Sequence, residues 1–135
     1  MHAANTETKL ICLTPVRNEA WVLERFLQCA SVWADHIVVA DQISDDGSRE
    51  IAARHPKVIL VDNPASDYNE GERHRLLFER ARQIPAARRV MIALDADEVL
   101  SADWEQSDEW AMLRSAKPGT AIRFESFAIW TERGN

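Results

Sequence analysis

The chain has 135 residues, 46% of them apolar and 28% charged, which is the make-up of one ordinary globular domain with a real core. Its net charge of −6 argues against a nucleic-acid surface and against binding to anionic membrane. A polyanionic ligand would therefore need a metal ion or a few placed arginines. No stretch approaches the apolar length of a membrane span, and residues 1–8 lack the basic-then-apolar order of a signal peptide. A cytoplasmic protein is expected, with the inner face of the membrane as its furthest reach.

Residues 9–14 form an apolar run stopped by Pro15, hence a first buried strand. Beyond the turn, Trp21, Val22, Phe26, Leu27, Ala30 and Trp33 recur at helical spacing. Residues 37–40 make a second strand that ends in Asp41 and opens into a polar loop through Ser48. A short helix over 49–55 and a third strand over 57–61 follow, the strand closed by Asp62, Asn63 and Pro64. Residues 70–83 carry Leu76, Leu77 and Ala81 along one side of a helix, with Ile84 after it. Five consecutive apolar residues, 90–94, then predict a strand buried on both faces in the middle of a parallel sheet. Residues 103–116 read as one further helix. Residues 119–130 read as a strand whose alternation slips at Ser126, as at a bulge. Cys12 and Cys29 lie far apart in apolar patterns and are expected to be reduced core thiols. Strand and helix alternate at βαβ spacing throughout. The expected fold is therefore a single α/β domain over 1–135, with a mostly parallel, Rossmann-like sheet and helices on both faces.

The chemistry gathers at strand ends. Asp41, Asp62 and Asp95 each close a strand, and ligands of open α/β sheets sit outside those carboxyl ends. Asp95 and Asp97 are two residues apart with Glu98 beside them. Such carboxylates can turn toward one hard divalent cation, which prefers oxygen ligands. Like charges along one edge also favour a cation or a donor-rich ligand between them.

Four motifs, in order, carry a resemblance to the family 2 glycosyltransferases with their A-type nucleotide-sugar-binding fold. Pro15-Val16-Arg17-Asn18-Glu19 resembles the family's turn after its first strand. Asp41 with Ser44-Asp45-Asp46-Gly47-Ser48 is similar to its second-strand motif, and Asn69-Glu70-Gly71-Glu72-Arg73-His74-Arg75 to its basic helix start. Asp95-Ala96-Asp97-Glu98 matches its DxD metal motif. The resemblance spans roughly residues 9–104 and implies the donor-binding half of a domain truncated after the DxD motif. It implies a nucleotide-sugar site built from Pro15, Arg17, Glu19, Asp41, Asp46, Arg73, Arg75, Asp95 and Ala96. Asp41 would meet the uracil or ribose, Arg73 or Arg75 would lie near the diphosphate, and Asp97 with Asp95 would bind Mn²⁺ or Mg²⁺. The implied partners are a nucleotide-diphosphate sugar, UDP-linked in the family's commonest case, and a hydroxyl acceptor that the sequence does not name. No catalytic base is assigned, because the family's base lies well downstream of its DxD motif and only 38 residues follow Asp97 here. The chain alone is thus expected to bind nucleotide without transferring sugar, and to dimerise through Phe127, Ile129 and Trp130.

Other readings start from the same residues. A donor-binding module without turnover shares every feature above. A haloacid-dehalogenase-like phosphatase would use Asp95 as nucleophile and Asp97 as general acid with Mg²⁺, but that fold carries its motif on the first strand. Trp104 and Trp110 are expected to pack rather than to stack on sugar.

Overall fold

A computed structural model describes residues 7–101 and 103–121 of the chain, which divides into two compact units, Met1–Leu100 and Ser101–Asn135. The first unit is an open, wholly parallel α/β sheet of the Rossmann-like kind. Strands β1 (Thr8–Val16), β2 (His36–Asp41), β3 (Val58–Asp62) and β4 (Arg88–Ala93) are joined by helices α1 (Ala20–Ala30), α2 (Ser48–Arg54) and α3 (Glu70–Arg82). The strand order is β3-β2-β1-β4, and all three ladders are parallel.

β1 and β2 hold the centre. Six successive residues of β1 and five of β2 are buried, as happens when both faces of a strand are covered. On one face Leu77 and Ala81 of α3, with Ile84, pack against Ile11, Leu13, Val38 and Ala40. Cys12, Ile37 and Val39 point the other way and are equally buried. On that side α1 and α2 pack on each other, and α1 buries Leu23, Phe26, Leu27 and Ala30. The chain runs outward from β1 to β3 and then returns through α3, past β1, to β4. Right-handed crossovers running in opposite directions put their helices on opposite faces. The reversal also creates a switch point between β1 and β4, the place where such sheets take their ligands.

Several expectations need correction. β1 does not stop at Pro15 but continues to Val16, with Pro15 opposite Ala40. Leu13 O accepts from Leu94 N and Val16 O from Gln42 N, so alternate residues address β4 and β2 in turn. Pro15 falls in the set addressing β4, beyond that strand's last paired residue, where no N–H is called for. The run expected mid-sheet, β4, pairs only with β1 among the described residues, and Ala93 at its end is exposed. In α1 the buried stripe is 23, 26, 27 and 30, which leaves Trp21 76% exposed. Cys29 also misses the stripe and is exposed, whereas Cys12 is buried in the sheet and its thiol is pushed up to about 12 by desolvation.

In the second unit the single helix expected over 103–116 is broken. A 3₁₀ turn, Trp104–Gln106, precedes α4, Asp108–Ser115. Ser107 sits between them in extended conformation and its Oγ accepts from Trp110 N, a helix N-cap. Trp104 and Trp110 pack edge-to-face, with ring centroids 4.7 Å apart. The expected strand over 119–130 and the dimer contact at Phe127, Ile129 and Trp130 fall almost wholly on residues outside the described ones. No helix among the described residues is long and apolar enough to cross a membrane.

Candidate functional site

The β1–α1 turn is locked to the loop after β2. Asn18, in a left-handed conformation (φ 53°), donates its backbone N–H to Ser44 Oγ at 2.9 Å. Its Oδ1 accepts from Asp45 N at 2.9 Å. Glu19 N donates to Ser48 Oγ (2.8 Å) and Ala20 N to Asp46 Oδ2 (3.0 Å). Asp46 Oδ1 takes both the N–H and the hydroxyl of Ser48; chiefly through that hydroxyl, its carboxyl is held below the usual range. Asp46, expected at the ligand, is thus a cross-link between two loops. It also satisfies an amide at the start of α1 that the Glu19 side chain, at the N-cap position, leaves alone.

Glu19 thus stands at the N-cap of α1 with no capping hydrogen bond from its side chain. Its carboxyl is pushed above the ordinary range, first by partial burial and then by the Asp97 carboxylate. Asp95 adds to the rise, while the Trp21 indole as donor and the Arg73 guanidinium oppose it. Charged groups of α3 and of the loop after β4 thus act on Glu19 in the β1–α1 turn. The DxD segment is a tight turn in which Glu98 N donates to Asp95 O and Glu98 Oε1 accepts from Asp95 N. Ala96 is buried while Asp95 and Asp97 on either side are exposed, so the turn is anchored by its methyl and presents two carboxylates to solvent. Among the described residues no group of three or more His, Cys, Asp or Glu side chains is placed to hold a metal ion. Two carboxylates nevertheless suit Mg²⁺ or Mn²⁺, which commonly take one or two protein oxygens and fill the rest of an octahedron with phosphate and water.

α3 separates its two arginines. Arg75 is bound to Glu72 and Glu79 on the exposed side, its Nη1 2.6 Å from Glu79 Oε1. Arg73 instead lies over the Tyr68 ring, 4.9 Å from its centroid, and its Nε is buried without a hydrogen-bond partner. Residues at i and i+2 of a helix diverge by about 200°, so only one of the two can address the site. Asn69 Oδ1 accepts from Glu72 N and starts the helix.

The second part of the site lies across β1. Asp41 is 3% exposed, and its Oδ2 accepts from Ser44 N at 3.2 Å. Its Oδ1 is buried with no partner, a costly state for a carboxylate oxygen. Asp41 lines a cleft of about 370 Å³ with Ile43, Ser44, Arg49, Asp62, Asn63 and Pro64. Asp62 lies directly opposite Asp41 in the β2–β3 ladder, and Arg49 pairs with it at the rim. Ile43 adopts φ 43°, a strained conformation for a β-branched residue. Gln42 is buried, and its Nε2 donates to Ala65 O (2.9 Å) and Asp67 O (2.7 Å), fixing the loop that leads to Tyr68 and Arg73. Arg17 Nη1 reaches Ser66 O in the same loop at 3.4 Å, and Pro15 is buried within β1.

The sequence singled out Glu19, Arg73, Asp95, Asp97 and Asp41, and these bracket the carboxyl end of β1. It gave no signal for Arg49 or Asn63, whose place in the cleft depends on ladder register. Strands stand about 4.8 Å apart, so β2 and β4 are roughly 10 Å apart across β1, a span that a nucleoside and its diphosphate can bridge. The chain matches no protein-family model, no curated protein and no solved structure.

Proposed function

We propose that this chain is the donor-binding half of a glycosyltransferase similar to family 2. It would bind a nucleotide-diphosphate sugar, with UDP as the first candidate, for transfer of the sugar to an acceptor hydroxyl with inversion. The observation that carries the reading is the electrostatic influence of Asp97, Asp95 and Arg73 on the Glu19 carboxyl, with Glu19 following β1 and the two aspartates following β4, its neighbour in the sheet. The unpartnered buried oxygen of Asp41 across β1 supports it.

In this reading Asp41 Oδ1 accepts an N–H or hydroxyl of the nucleoside in the cleft. Arg73, its plane held by Tyr68, turns its guanidinium toward a phosphate oxygen, an interaction of the charge-assisted kind. Asp95 and Asp97 hold a divalent cation between themselves and the diphosphate. Such an ion, when bound, stabilises the charge that the leaving diphosphate develops. Glu19 contributes a third negative charge that orients the site toward cations and hydroxyl donors. No described residue is assigned as the base that takes the acceptor's proton.

Titration calorimetry with UDP, with and without Mn²⁺, tests the reading, and metal-dependent binding is expected. Absence of UDP binding under both conditions would overturn it. Turnover of a generic phosphomonoester would favour the phosphatase chemistry of Asp95 and Asp97 instead.

A further inference from the structure

Gln42 follows the last residue of β2, and its N–H still donates to Val16 O, so the ladder runs one residue past the strand. Alternation then puts Gln42 on the face of Val38 and Ala40, where Leu77 and Ala81 of α3 pack. Arg73 lies four residues before Leu77, on the same side of that helix. One helical turn rises about 5.4 Å and two strand residues about 6.6 Å. From the layer that holds Ala40 and Leu77, Gln42 on the strand and Arg73 on the helix therefore keep step toward the carboxyl edge of the sheet.

Gln42 is only 1% exposed, and its Nε2 spends both hydrogens on one loop, donating to Ala65 O at 2.9 Å and to Asp67 O at 2.7 Å. Residues 66–69 of that loop are exposed, so little burial holds them, and Arg17 adds only a long bond of 3.4 Å to Ser66 O. The clamped loop leads straight into the two residues that shape the start of α3. Asn69 caps the helix. Tyr68 places its ring under the Arg73 guanidinium, 4.9 Å away, and donates its hydroxyl to Glu70 Oε1 at 2.8 Å. Arg73 Nε is buried without a partner, as is Gln42 Oε1, so the Nη end of the arginine is the part left to reach a ligand.

We propose that Gln42 is a positioning residue for Arg73: its amide fixes the 65–67 loop, and through Tyr68 that loop aims the arginine at a ligand phosphate. The phosphate rests on the glycosyltransferase reading, whereas the hold on Arg73 does not. The cleft at Asp41 is independent of the clamp, because Asn63 N donates to Asp41 O and so belongs to the ladder.

The full chain is compared with Gln42→Met, Gln42→Asn, Arg73→Gln and the double variant Gln42→Met/Arg73→Gln, with thermal unfolding first verifying folding. Each is titrated with UDP and with uridine in Mn²⁺. Gln42→Met removes both donors at nearly constant size and is expected to weaken UDP binding roughly three- to tenfold, no more than loss of the arginine's own bond would cost. Uridine, which has no phosphate, should bind as before. Gln42→Asn keeps the amide but is too short to hold both carbonyls, so its loss should be intermediate; it carries the test if the methionine variant does not fold. In the Arg73→Gln background the change at Gln42 should cost nothing more, the mark of two residues acting as one. A ligand-free measurement completes the set. The Arg73 Nε–H signal, identified by its absence from Arg73→Gln, should resist exchange with water in the wild type and lose that protection in both Gln42 variants. Additive losses, an equal loss of uridine, or an unchanged Nε–H signal overturns the positioning role. A wild type that binds no UDP overturns the glycosyltransferase reading, and the Nε–H signal then decides on Gln42 alone.

Discussion

Asp97 is the residue on which the metal assignment turns, and Glu19 reports on it. The Glu19 carboxyl lies above its ordinary value of 4.5 through burial and the charges of Asp97 and Asp95. Folding therefore favours protonated Glu19. Below about 4.5 both folded and unfolded chains hold the proton and no penalty exists; as pH rises through the raised folded value the penalty sets in and stability falls. Asp97→Asn removes one source of the repulsion, so its stability relative to wild type should rise with pH across that window. Urea unfolding at several pH values checks this, while UDP binding by the variant should lose its dependence on Mn²⁺. A second residue-scale outcome concerns Asp41, whose Oδ1 is buried and unpartnered. Asp41→Asn should cost UDP binding about 1–3 kcal/mol by leaving a ligand donor badly matched. The same change removes a buried charge, so the melting temperature should not fall. The two measurements together separate a binding residue from a structural one. At this scale the sequence was readable where chemistry and strand ends coincide, at Asp41, Asp95 and Asp97. It was not readable at Trp21, because an apolar residue beside a buried stripe fits a 3.6-residue period nearly as well as one within it.

Among the elements, α3 gives the sharpest test. Both arginines of its first turns matched the resemblance, and charge alone does not tell them apart. The fold does, by pairing Arg75 with Glu72 and Glu79 and laying Arg73 on Tyr68. Arg73→Gln should weaken UDP binding about tenfold or more, the loss of one charge-assisted bond. Arg75→Gln should leave UDP affinity unchanged, since exposed pairs of this kind contribute little. Calorimetry on both variants decides it, and equal losses would mean that the helix is rotated from the position described. The sheet elements were legible within a residue or two, because buried parallel strands are near-continuous apolar runs. Strand neighbours were less so. Whether β4 lies mid-sheet depends on pairing with distant residues, which its own apolar run does not encode. Pro15 misled for the opposite reason: the rule that proline ends a strand assumes that the missing N–H had a partner.

For the molecule as a whole, every residue buried in the described structure lies at or before Ala96. The sheet and its three helices thus hold all of the buried core among the described residues, and ligand bound across β1 should stabilise that core as one body. Its two cysteines turn this into a kinetic readout. Cys29 is exposed on α1, while Cys12 sits at the centre of β1 with its thiol pushed up to about 12, far from the thiolate form that reacts. An alkylating reagent should therefore mark Cys29 at once and reach Cys12 only when the sheet opens. The slow second label becomes a clock for opening of the native state, already written into the natural sequence. Saturating UDP with Mg²⁺ should slow that clock and leave the fast label untouched, as mass spectrometry of timed samples would reveal. A Cys12 rate indifferent to nucleotide would mean that whatever binds does so without fastening β1 to its neighbours.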